Sequence, residues 1–149
     1  MSLDERRLDF RRVHRAPVAL VFECLTTPSH LAAFWGPEGC TTPEDSIVVD
    51  LRPGGAFHAD MVFGGGAHVA PMRAVYDLVE PPSRLGWTEP ENGMRTEVQL
   101  AELDDGTTEV ITTLIDPPPG FESPDARRGF ETSLDRMVAY TAEVGSTSR

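Results

Sequence analysis

Apolar and polar residues recur with two different periods along this chain, and the switches between them divide it into elements. Residues 6–14 alternate in part, with Leu8 and Phe10 on one face, and predict a first strand. Ala16-Pro17 opens a helix, because proline suits a first turn whose N–H groups need no intrahelical partner. Val18, Val21, Phe22 and Leu25 form its apolar stripe. Thr27-Pro28 repeats the start signal for a short second helix with Leu31, Phe34 and Trp35 on one side. Gly36-Pro37 ends it, since glycine accepts a left-handed cap and proline cannot continue.

From residue 45 the period becomes two. Ile47, Val49 and Leu51 alternate with Val48, Asp50 and Arg52, and Gly54-Gly55 predicts a tight turn. Phe57, Ala59, Met61 and Phe63 then share a face opposite His58 and Asp60, and Gly64-Gly65-Gly66 predicts a hairpin connection. Met72, Ala74, Tyr76 and Leu78 point one way on the next strand, where Pro71 marks a bulge or an open edge. Pro81-Pro82-Ser83 turns the chain, and Leu85 and Trp87 face together. Thr96, Val98 and Leu100 alternate with Arg95, Glu97 and Gln99. Asp104-Asp105-Gly106 predicts a further hairpin into a β-branched run from Val110 to Ile115.

Pro117-Pro118-Pro119-Gly120 interrupts that run. Ser123-Pro124 starts a last helix with Asp125 in its first turn, where the helix dipole favours negative charge. Phe130, Leu134, Met137, Val138 and Thr141 fall on one face, with Glu131, Asp135 and Arg136 turned away. The order is one strand, two short helices, about six antiparallel strands and one long helix. A sheet with one apolar face must be covered, and only the last helix is long enough to do it. The predicted class is α+β, a strongly curved antiparallel sheet of about seven strands around its C-terminal helix.

The chain has 149 residues, which suits one domain over 1–149, with a core of about 6–144 and a frayed tail over 145–149. Net charge is −11, and all 13 basic residues are arginine. Without lysine there is no Schiff-base amine, P-loop lysine or lysine general base. The acidic balance disfavours phosphate backbones, so no nucleic-acid partner is expected. Five arginines, Arg6, Arg7, Arg11, Arg12 and Arg15, cluster at the start, and strand alternation splits them between the faces of a solvated edge strand. No apolar run approaches the roughly 18 residues of a membrane span, and Met1 to Arg7 lacks the apolar stretch of a secretory signal. Two cysteines, Cys24 and Cys40, read as free thiols in a reducing cytoplasm.

Several segments carry a family resemblance. They are Arg12-Val13-His14-Arg15-Ala16-Pro17, Thr27-Pro28-Ser29-His30-Leu31, Phe34-Trp35-Gly36-Pro37, Asp50-Leu51-Arg52-Pro53-Gly54-Gly55, Glu80-Pro81-Pro82-Ser83-Arg84-Leu85 and Gly129-Phe130-Glu131. With these the chain resembles the START-like, or SRPBCC, superfamily, whose Bet v-like scaffold is called helix-grip. More narrowly it resembles the branch named after the activator of heat-shock protein 90 ATPase, grouped with polyketide cyclase-like proteins. The resemblance spans about Arg12 to Val144. Phe34 and Phe130 stand where the family often has tryptophan, which alters pocket shape more than fold. The resemblance implies a cavity between the long helix and the sheet. It does not imply co-chaperone activity, because the superfamily hosts several functions.

Aromatic and sulfur side chains concentrate on the predicted concave face. Phe57, Met61, Phe63, Met72, Tyr76 and Trp87 come from the sheet, and Trp35, Phe130, Leu134 and Met137 from the helices. They fit either a filled core or the lining of an apolar pocket. His68 shares parity with Met72 and Tyr76, which makes His68 and Tyr76 the candidate acid–base groups of an enzyme reading, although a surface position also suits His68. His14 and His30 lie near helix starts, without evident partners. Arg52 fits a tie to Asp50 within its turn, or a clamp for a carboxylate. No histidine or cysteine pair has metal-ligand spacing, no Gly-x-Ser-x-Gly is present, and no Gly-x-Gly-x-x-Gly opens a helix, so no metal or other cofactor is expected. The expectation is a protein that binds an apolar or aromatic small molecule without catalysis. A cyclase or dehydratase and a co-chaperone-like interaction module are the alternatives, and edge strands leave room for a homodimer.

Overall fold

A computed structural model of the chain describes residues 6–121 and 123–147. Strand β1 (Arg7–His14) leads to helices α1 (Val18–Thr26) and α2 (Pro28–Phe34), and the short β2 (Cys40–Thr41) and β3 (Val48–Val49) follow. The long strands are β4 (Ala56–Phe63), β5 (His68–Glu80), β6 (Arg84–Thr88), β7 (Arg95–Glu102) and β8 (Thr108–Ile115), and helix α3 (Pro124–Thr147) ends the described chain. All pairings are antiparallel, in the order β1-β8-β7-β6-β5-β4-β2, with β3 on β4. The sheet curls around α3, as the amphipathic pattern of that helix requires.

The helix starts follow local chemistry. Pro28 occupies the first turn of α2, and the Ser123 hydroxyl accepts from the Ala126 N–H at the start of α3. Thr27, expected to cap α2, makes no such side-chain bond. Pro17 precedes α1 in an extended conformation, and Glu102 from the end of β7 caps it by accepting from the Val18 N–H at 2.9 Å. The tail expected to fray from residue 145 instead continues α3 through Thr147, and Gly145 packs close to Ala16. Residues 1–5, 148 and 149 lie outside the described residues.

The turn between β3 and β4 forms as its composition predicts. Arg52 grips Asp50, with Nε 3.0 Å from each carboxylate oxygen and Nη2 at 2.9 Å. Gly54 has φ +86°, and a Cβ on Gly55 would sit 1.9 Å from the Asp50 carbonyl oxygen. Both glycines bond to the Tyr76 backbone, which ties the turn to β5. The alternation seen over Ile47 to Leu51 yields only a two-residue strand, because Asp50 and Arg52 turn back on the loop and leave Leu51 exposed. Pro71 keeps regular register with Asp60, while the register shift falls between Tyr76 and Leu78. Along β5, strand β6 pairs only with residues 75–80, so Pro71 lies on an open edge where its missing N–H is tolerated.

The core forms two groups. The larger joins α1, α2 and Met137 to the inward residues of β4 to β8. The smaller comprises Phe10, Met94 and Leu114, with Leu8, Phe121, Phe130 and Leu134 packed on it. None of the described helices is long and apolar enough to cross a membrane.

Candidate functional site

A cavity of about 500 Å³ lies between α3 and the sheet, bordered by members of both core groups. Its origin is legible in side-chain size. The helix presents Ala126, Gly129, Phe130, Ser133, Leu134 and Met137, which follow the three- and four-residue spacing of one helical face. Three of these are small. Strands β7 and β8 present Thr96, Val98, Val110 and Thr112, none of them long. A Cβ added at Gly129 would meet nothing within 4 Å. Short side chains on both facing surfaces leave the gap unfilled.

The structure brings Trp35, Met61, Met72, Trp87, Phe130, Leu134 and Met137 together on the wall. Phe57, Phe63, Tyr76 and His68 are placed elsewhere. Phe57 stacks on Tyr76, with ring centres 5.1 Å apart and planes within 7°, and meets Trp35 and Trp87 edge-on at 5.3 and 5.0 Å. Each such pair contributes about 0.5–1.5 kcal/mol beyond area burial. Phe57 and Tyr76 thus stand in solid core, where burial pushes the Tyr76 phenol well above its ordinary pKa and its hydroxyl has no hydrogen-bond partner. Phe63 and His68 face each other at the β4–β5 hairpin, with ring centres 5.9 Å apart. His68 has the inward parity, but it sits at the strand tip and is exposed. Neither candidate acid–base residue borders the cavity.

Sequence reasoning missed polar wall residues that the structure supplies, among them Arg12, His14, Glu89 and Asn92. Arg12 and His14 have the parity of Leu8 and Phe10, a signal present in β1 but overridden by the charge of the arginine run. Strand β1 is an edge strand, as expected, and Arg12 lies on its covered face. Its Nε donates to Asp135 at 2.8 Å and its Nη2 to Glu131 at 3.3 Å, so two acids expected to point away from the sheet anchor α3 to β1. His14 is 2% exposed, and its Nδ1 lies 2.7 Å from Thr141 Oγ1. Burial, with the Arg12 charge adding to it, lowers its pKa from 6.5 to about 4. His30, also without an evident partner in the sequence, bonds the Tyr140 hydroxyl at 2.5 Å.

Glu89 lies in the turn after β6. Burial raises its carboxyl above the ordinary value, against a lowering contribution from Asn92, and Glu91 raises it further. Pro118 and Phe121 from the proline-rich loop complete that part of the wall. Among the described residues, no group of three His, Cys, Asp or Glu side chains is arranged to hold a metal ion.

Residues 15–142 match the family model described as Activator of Hsp90 ATPase homolog 1-like protein. The chain belongs to this family. Solved structures share its fold. The AHSA1-like protein of Aeromonas hydrophila superposes with a TM-score of 0.83 at 22% identity, over 97% of both chains. Protein CV1439 of Chromobacterium violaceum gives 0.82 at 22% identity, over 92% of this chain and 98% of that one. Protein NE0264 of Nitrosomonas europaea gives 0.79 at 24%, over 94% and 96%. No curated protein is a significant match. For this family member the likeness supports the helix-grip fold, a scaffold that commonly binds ligands.

Proposed function

We propose that this protein binds an apolar or aromatic small molecule in the cavity under α3 and does not itself catalyse a reaction. The observation that carries the reading is a void of about 500 Å³ walled mainly by Trp35, Trp87, Met61, Met72, Phe130 and Met137. Sites for small organic ligands span roughly 300–1,000 Å³ and are largely apolar, with few polar groups. The methionines adapt to irregular shapes, since a thioether chain is unbranched and polarisable. The two free buried thiols, Cys24 and Cys40, suit a reducing compartment, so the proposed setting is the cytoplasm.

Native mass spectrometry of gently purified protein, paired with titration of a solvatochromic dye, tests this reading. Retained small-molecule mass or saturable dye binding with a blue-shifted emission is the expected result. Protein that carries nothing and leaves the dye spectrum unchanged overturns it.

A further inference from the structure

His14 lies on the cavity wall with one ring nitrogen held by α3. The imidazole lines the cavity while its Nδ1 contacts Thr141 Oγ1, and that hydroxyl also lies 3.2 Å from the Val138 carbonyl oxygen. A carbonyl only accepts, so one proton arrangement makes both contacts hydrogen bonds: the Thr141 hydroxyl donates to Val138 and accepts from Nδ1–H. That arrangement places the ring proton on Nδ1. A buried imidazole beside Arg12 is neutral near pH 7 and has only this one N–H. In that arrangement Nε2 presents a bare lone pair.

The side chains beside His14 make their hydrogen bonds to other groups. Arg12 donates to Asp135, Glu131 and the Arg11 carbonyl. Thr108, opposite His14 in the β1–β8 register, donates to the Ala16 carbonyl at 2.7 Å. Among the described residues, no donor reaches Nε2. The hydroxyls of Thr96, Thr112 and Ser133 on the wall can donate or accept, so they impose no choice on a guest. The Nε2 of a neutral histidine with its proton on Nδ1 can only accept.

We propose that the guest is an apolar or aromatic molecule bearing a hydroxyl or phenol, whose O–H donates to Nε2 of His14. This inference rests on the cavity reading above and adds the polar group that the guest must supply. A guest without a donor leaves the lone pair unpaired in an apolar wall, whereas one with a donor replaces whatever hydrogen bond water made there.

Isothermal titration calorimetry of the full chain with 2-naphthol and 2-methoxynaphthalene tests it, in the wild type and in His14→Phe. The naphthol-to-methoxynaphthalene affinity ratio is expected to be about tenfold higher in the wild type than in the variant, the scale of one hydrogen bond. Equal ratios in the two proteins overturn the inference and leave the cavity reading standing. So does a preference that survives His14→Phe and disappears in Glu89→Leu, because Glu89 would then be the acceptor. Failure of the wild type to bind either compound removes the cavity reading and this inference with it. If His14→Phe does not fold, nitrogen-15 NMR of histidine-labelled wild type decides. Nδ1 is expected to be protonated, and the Nε2 resonance to move with 2-naphthol but not with 2-methoxynaphthalene. A protonated Nε2, or one unmoved at saturating 2-naphthol, overturns the proposal.

Discussion

Nη1 of Arg136 donates to the carbonyl oxygens of Gly36 and Pro37 at 2.8 and 2.9 Å, pinning α3 to the loop that follows α2. Both loop residues border the cavity. Gly36 has φ +94°, and a Cβ there would lie 2.5 Å from Cys40 Sγ, so the loop has little freedom to find another path. Hydrogen bonds to a charged group contribute about 1.5–3 kcal/mol each, less where water can substitute. Arg136→Met is expected to lower unfolding stability in urea by about 2 kcal/mol. A loss below about 0.5 kcal/mol would show that water replaces the tie at no cost.

The depressed pKa of His14 predicts an acid-sensitive window. Its folded-state value is about 4 against an ordinary 6.5. The unfolded chain therefore binds the extra proton first as pH falls, and stability present above pH 6.5 is lost progressively down to pH 4. The full difference corresponds to roughly 3 kcal/mol as an upper bound. Urea midpoints followed from pH 7 to 4 should fall more steeply in the wild type than in His14→Gln. Parallel slopes would remove His14 as the source.

Tyr76 carries a buried hydroxyl without a partner. Removing an unpaired buried polar group relieves its desolvation penalty while the ring and its stack on Phe57 remain. Tyr76→Phe is expected to raise stability by about 1 kcal/mol in thermal or urea unfolding. Destabilisation of similar size would reveal a bound water bridging the hydroxyl.

Gly129 separates helix stability from cavity volume. Alanine at this position meets open space in the described structure and replaces a residue that weakens helix interiors, so Gly129→Ala should gain about 0.5–1 kcal/mol. Gly129→Leu extends a larger side chain from the same wall position and should lower dye affinity at least tenfold while keeping the far-ultraviolet circular dichroism. Unchanged dye affinity in Gly129→Leu would place the dye outside this cavity.

Much of the scaffold was legible residue by residue. Val18, Val21, Phe22 and Leu25 make a helix stripe whose last three members are buried, and Thr96, Val98 and Leu100 make a strand face that is buried throughout. Those elements obey local rules of period, cap and turn, which the chain states directly. The site was legible only in part. Trp35, Met61, Met72, Trp87, Phe130, Leu134 and Met137 meet on one wall, yet Phe57 and Tyr76 share the same strand faces and end in solid core, because Trp35 and Trp87 pack against Phe57. Parity assigns a face to a side chain, and neighbours from distant elements decide whether that face meets space or matter.

His14 shows the same division. Alternation from Leu8 and Phe10 already assigned it to the inner face of β1, but its environment depends on Thr141, which lies 127 positions further along the chain. The amino-acid sequence by itself determined the order of the main elements and the need for α3 to cover a curved sheet, because period and turn chemistry act over a few residues and an apolar sheet face must be buried. Only the tertiary structure decided which inward residues border a void, which histidine is held neutral, and where Arg12 and Arg136 find their partners. Those outcomes depend on side-chain volumes and charges that meet across the sheet–helix gap after the chain has closed on itself.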